Sequence, residues 1–177
     1  MMLQNTRVLV APVSDGDNPF LQNIEIRLAG YFHHAEGQFV EQPGGDSTLL
    51  LYCIDGRGFV EIDGRVMLVN QGEAVILLPG AAHVYGADAE APWSIIWVTF
   101  TGRMTDFIRE RLAIEGEGIV LRQNLRDASH LLVEMLATLS EGQDLMRLLE
   151  AASRFQLALC RVISANLCAG AQRRLVE

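Results

Sequence analysis

Few side chains in this sequence are placed to do chemistry, and His83 is the first of them. It closes the stretch GEAVILLPGAAH, residues 72–83, in which an apolar run meets a Pro79-Gly80 turn three residues before the imidazole. Tyr85 follows two residues later, and alternate residues of a strand point the same way. An imidazole so placed serves as a metal ligand, as a wall of a small-molecule pocket, or as a hydrogen-bonding residue at a strand's end.

A catalytic metal needs two or three histidines and a carboxylate converging on one ion. His33 and His34 are sequence neighbours, so in a strand they point to opposite faces and at most one can join His83. The stretch LLLYCIDGRGFVEI, residues 49–62, carries no histidine. No metal and no cofactor is therefore expected. Nucleophilic catalysis has no better support. There is no G-x-S-x-G elbow, and Cys53, Cys160 and Cys168 have neither CxxC spacing nor a nearby histidine. Gly56-Arg57-Gly58 lies in a hairpin and not between a strand and a helix, so it is no phosphate loop. No catalytic residue is expected.

The aromatics say more. In WSIIWVTF, residues 93–100, Ile95 and Trp97 share one strand face, and Ile96 and Val98 the other. Tyr31 ends an earlier apolar run. Aromatic faces beside hydroxyl and imidazole groups suit a small polar ligand with a hydrocarbon face, such as a sugar. The alternative is that these rings fill the core, because small barrels have little room to spare. Trp93, just after Pro92, is expected at a loop rim.

Two kinds of segment must position these groups. Up to about residue 100, Asp15-Gly16, Pro43-Gly44-Gly45, Asp55-Gly56, Asp63-Gly64, Gln71-Gly72 and Pro79-Gly80 punctuate short apolar runs. That pattern predicts strands near 24–32, 38–42, 47–54, 73–78, 83–86 and 94–101, with a hairpin over 58–69 turning on Asp63-Gly64. After Gly102 the period becomes helical, over 104–116, 124–142 and 144–170, with Asn124 and Asp144 as caps and Gly142 and Gly170 as stops. In the last helix Leu145, Leu148, Ala152, Phe155, Leu159, Val162 and Asn166 form a heptad-like seam, with Asn166 a polar residue able to set register. The seam is read as a homodimer interface; the alternative is an intramolecular helix pair.

The layout is thus mainly β with C-terminal α. Residues 1–20 are expected to be a flexible arm, 21–102 an antiparallel β-barrel, and 103–177 a helical dimerisation region. Half the residues are hydrophobic, which fits a globular chain, and no apolar stretch is long enough to span a bilayer. No membrane partner is expected. An odd set of three cysteines fits a reducing cytoplasm. A formal net charge of −8 argues against direct nucleic-acid binding by these residues.

Residues 24–102 resemble the sensor domain of AraC-type transcriptional regulators. The likeness rests on Gly56-Arg57-Gly58, Gln71-Gly72-Glu73, Leu78-Pro79 through His83 and Tyr85, and then Trp93, Trp97, Val98, Phe100 and Gly102; IRLAGYF, 26–32, resembles the opening strand. The resemblance implies a cupin-like, metal-free effector pocket, a helical hairpin that dimerises, and a helix-turn-helix DNA-binding domain. Only AQRRLVE follows Gly170, so that domain is expected to lie outside this chain and to make the only DNA contact. Tyr85 and Trp97 match sugar-contacting positions of the family. Ile95 stands where sugar sensors carry a polar residue, and Gln42 is the nearest polar substitute for an arginine ahead of the first barrel strand. The second reading, from the likeness of 72–83 to a cupin motif, is a metal-dependent cupin enzyme acting on a small molecule such as a sugar.

Overall fold

The computed structural model describes residues 5–10, 18–122 and 126–174, with backbone alone for 126–127 and 169–174. In chain order the elements are β1 (Thr6–Leu9), α1 (Pro19–Asn23), β2 (Glu25–Phe32), β3 (Phe39–Gln42), β4 (Thr48–Asp55), β5 (Arg57–Ile62), β6 (Arg65–Asn70), β7 (Ala74–Leu77), β8 (His83–Ala87), β9 (Ser94–Thr101), α2 (Met104–Arg111), β10 (Gly118–Leu121), α3 (Arg126–Glu141) and α4 (Leu145–Arg174). The turn residues act as expected. Asp63 and Gly64 both take positive φ, +52° and +69°, which the two-residue hairpin between β5 and β6 requires.

The strands form two antiparallel sheets, β1-β2-β9-β4-β7-β10 and β3-β8-β5-β6. This is the expected antiparallel β architecture with C-terminal helices. Its two sheets face each other without closing into a ring. Cross-strand register sorts the side chains. Leu28, Gly30 and Phe32 lie opposite Thr99, Trp97 and Ile95, which lie opposite Leu49, Leu51 and Cys53. This set faces the second sheet. The alternate set, Ala29, Tyr31, Leu50, Tyr52, Ile96, Val98 and Phe100, forms a second core with the helices.

Three expectations are corrected. First, residues 1–20 are not simply an arm. Thr6–Leu9 pair with β2, and Asn18 caps α1 by accepting from the Phe20 amide at 3.1 Å; Pro12, Asp15 and Gly16 lie outside the described residues. Second, the region after residue 102 is not all helix. The first helix stops at Arg111, Ala113 takes a φ of +48°, and GIVL returns as β10 to pair with β7. The Asn124 cap lies outside the described residues. Third, most of the seam on α4 faces inward. Leu148, Ala152, Phe155, Leu159 and Val162 are buried in the chain's own core, and the Phe155 ring meets Phe100 edge-on at 5.0 Å. Leu145 is exposed and Asn166 half-buried. The hairpin of α3 and α4 thus uses this seam to cover the six-stranded sheet, so those buried side chains are not a free surface for a second copy.

Candidate functional site

Because the sheets do not close, a cleft of about 660 Å³ opens between the β1 edge of one and the β3 edge of the other. Its walls come from Arg7 on β1, Leu28 and Phe32 on β2, Val40 and Gln42 on β3, Leu49 on β4, His83 and Tyr85 on β8, and Trp97 and Thr99 on β9. The loops carrying Glu36 and Asp46 bound its ends.

One cross-strand row makes the floor. Arg7 is in register with Gly30, and Gly30 with Trp97. A Cβ on residue 30 would stand 2.6 Å from Trp97 Cε2 and Cζ2 and 2.6 Å from the Thr6 carbonyl oxygen. Glycine is therefore what lets the indole lie across β2 toward the edge strand. Phe32 stacks beside it, with centroids 6.0 Å apart and planes 19° from parallel. On the facing sheet Gln42 is in register with His83, and Val40 with Tyr85. The His83 and Tyr85 rings stack at 6.0 Å and 12°. Burial pushes the Tyr85 phenol above its ordinary range, so it stays protonated as a hydroxyl.

The hydrogen bonds define what the cleft lacks. His83 Nδ1 sits 2.7 Å from the Ala81 carbonyl oxygen. A carbonyl only accepts, so Nδ1 carries a proton, and in the neutral ring the lone pair is then on Nε2. That Nε2 is buried with no partner, and so is Trp97 Nε1. The indole N–H is a pure donor. His83 and Trp97 line the cleft, and one carries an unpaired acceptor and the other an unpaired donor, each at a cost of about 1–3 kcal/mol. A hydroxyl-bearing ligand that reached both atoms would satisfy them.

Of the six residues expected to bind ligand, His83, Tyr85, Trp97 and Gln42 line the cleft. Tyr31 does not. It lies on the helix-facing side of β2, its hydroxyl 3.2 Å from His33 Nδ1. Ile95 shares Trp97's face as expected, but it is fully buried between Phe32 and Cys53 in the register and does not reach the cleft. Trp93 is no rim residue. It is fully buried, and its N–H donates to Gln38 Oε1 at 2.7 Å. Sequence reasoning missed Phe32 and Arg7. Strand parity from Leu28 through Gly30 would have found the first. The second was hidden in a segment read as an arm.

Among the described residues no three His, Cys, Asp or Glu side chains are grouped to hold a metal. Cys53 is buried, and desolvation first, with Asp55 adding, pushes its thiol up to about 12, far from a reactive thiolate. Among the described residues no helix is long and apolar enough to cross a membrane.

Comparison with known proteins gives the following. The model of the family described as the AraC-like ligand binding domain matches residues 25–158. The chain is 30% identical over 89 residues to the MmsAB operon regulatory protein of Pseudomonas aeruginosa, covering 48% of this chain and 29% of that protein. It is 25% identical over 69 residues to the Msm operon regulatory protein of Streptococcus mutans, covering 39% and 25%. The chain thus spans under a third of the length of these relatives. Among solved structures, the protein YhaK from Escherichia coli is similar at a TM-score of 0.46 and 15% identity, over 56% of this chain and 45% of that one.

Proposed function

The chain belongs to the AraC-like ligand binding domain family, and from that premise we propose that it is the effector-sensing and dimerisation part of an AraC-type transcriptional regulator. A small metabolite, sugar or sugar-like, binds in the cleft without metal and without being chemically changed. Binding shifts the chain between two arrangements and is relayed to a helix-turn-helix domain outside these residues. Such a relay requires the effector to favour one arrangement over the other.

One observation carries the reading: His83 and Trp97 both line the cleft, and their Nε2 and Nε1 are buried and unpartnered. Core histidines and tryptophans ordinarily find partners, as Trp93 does with Gln38. Dimerisation through α4 uses the face opposite the buried seam. Met146, Leu157 and Leu167 are exposed there, and with Ser153, Cys160 and Ser164 they follow a 3-4 spacing.

Trp97 fluorescence tests the binding claim, since the other indole, Trp93, is sealed in the core. A screen of monosaccharides, related polyols and sugar acids should find a compound that shifts the emission and raises Tm, and His83→Phe should abolish both. A screen that leaves both unchanged, or a His83→Phe variant that binds normally, refutes it. The second reading, a metal-dependent enzyme, rests on the same free Nε2. It predicts stoichiometric metal in the purified protein, lost on His83→Ala.

A further inference from the structure

We propose that the effector carries a carboxylate and that Arg7, on the edge strand β1, binds it. This rests on the effector-cleft reading and narrows its ligand from sugars in general to hydroxylated organic acids. Arg7 belongs to the cleft wall, in register with Gly30 and through it with Trp97. Because Gly30 has no side chain, no side chain of β2 separates Arg7 from Trp97 in that row. Among the described residues Arg7 makes no ion pair, whereas Arg27, Arg57, Arg122, Arg147 and Arg154 all do. Arg65, Arg103, Arg109 and Arg111 make no ion pair either, but among the described arginines Arg7 alone lines the cleft.

The chemistry of the row favours an acceptor-only group. Guanidinium and indole N–H groups donate and never accept. Two such donors side by side call for a group with several lone pairs and no proton, which is a carboxylate held by charge-assisted hydrogen bonds. His83 Nε2 on the facing sheet calls for the opposite, an O–H donor. The ligand therefore carries a carboxylate at the β1 side and a hydroxyl at the β8 side. Glu36 and Asp46 lie in the loops at the two ends of the cleft, and Asp46 already accepts from the Ser47 hydroxyl. With a single arginine against these two acids, a monoanion fits better than a dianionic phosphate.

Matched pairs of compounds test this, each a hydroxycarboxylate and its methyl ester or alcohol counterpart, such as xylonate with xylitol and gluconate with sorbitol. Binding is measured by calorimetry and Trp97 emission on the wild type, Arg7→Gln and Arg7→Lys. The proposal expects at least one acid to bind about tenfold or more tighter than its neutral partner. Arg7→Gln should cut that preference below about threefold, Arg7→Lys should keep part of it, and the preference should shrink as salt is raised. Arg7 is exposed, so an unchanged Tm for Arg7→Gln shows that the fold is intact. If neutral members bind as tightly as their acids, or if acids bind and Arg7→Gln leaves their affinity untouched, the proposal falls while the effector cleft stands. If neither class binds and the emission never moves, the cleft reading falls and takes the proposal with it.

Discussion

Trp97→Phe distinguishes a binding residue from a core residue, and Trp93→Phe is its internal control. The phenyl ring is smaller than the indole, so either exchange loses packing contacts worth about 1–2 kcal/mol, part of the larger loss that full truncation of a core aromatic brings. The hydrogen-bond terms then differ in sign. Trp97 holds a buried N–H with no partner, and removing it recovers about 1–3 kcal/mol. Trp93 donates to Gln38 at 2.7 Å, so its exchange loses a bond and leaves Gln38 Oε1 unpaired, adding about 1–2 kcal/mol of cost. Trp97→Phe should therefore lie within about 1 kcal/mol of wild type, a Tm change under about 4 °C, while Trp93→Phe should cost about 2–4 kcal/mol. Urea denaturation followed by circular dichroism measures both. Affinity for the effector found by the fluorescence screen should move the other way. Trp97→Phe should weaken it about two- to tenfold, the worth of one hydrogen bond, and Trp93→Phe should not. If Trp97→Phe destabilises as much as Trp93→Phe and leaves affinity alone, the indole is packing and the assignment of the cleft is wrong.

Three further outcomes are expected. On α4, Leu157→Glu should convert a dimer to a folded monomer in sedimentation analysis, whereas Phe155→Ala should destabilise each chain by about 3–5 kcal/mol, because the first side chain is exposed and the second fully buried. A hydrogen bond from Arg57, helped by the Ala91 and Glu90 amides, holds the Asp88 carboxyl down from 3.8 to about 2. Its stabilisation is therefore present above about pH 4 and lost as pH falls toward 2, so the Tm gap between wild type and Asp88→Asn should be open at pH 7 and close over that window. Iodoacetamide at pH 8 should label exposed Cys168 first, half-buried Cys160 more slowly and Cys53 only on unfolding, which mass spectrometry of timed samples can follow.

The parts of the fold that are long and repeat their pattern were legible in the sequence; the β1 side of the cleft was not. The eight-residue strands β4 and β9 carry enough alternation to put Trp97 on one face and Val98 on the other. The Pro79-Gly80 turn places His83 and Tyr85 together on β8. β2 is equally long yet misleads, because its register slips between Ile26 and Leu28. Ile26 would share a face with Leu28, Gly30 and Phe32 in a regular strand. Across the bulge it joins Ala29 and Tyr31 on the helix side instead. A hydroxyl made Tyr31 attractive as a ligand residue, but parity counted after the bulge selects Phe32. Trp93 was misplaced for a related reason: a loop position says where the backbone runs, and Gly58 on β5 leaves the hollow that the indole fills. The edge β1 is hardest of all: at four residues it is too short for alternation to separate strand from loop, whereas the equally short β3, closed by Pro43-Gly44-Gly45, was expected over 38–42. Yet an unclosed barrel meets water at its edge strands, so polar residues such as Arg7 and Gln42 belong there, and a ligand entering between the sheets meets them first. The weakest stretch of the sequence pattern, β1, thus lies at the lip of the site, because the openness that admits a ligand also leaves that strand without the apolar periodicity that would announce it.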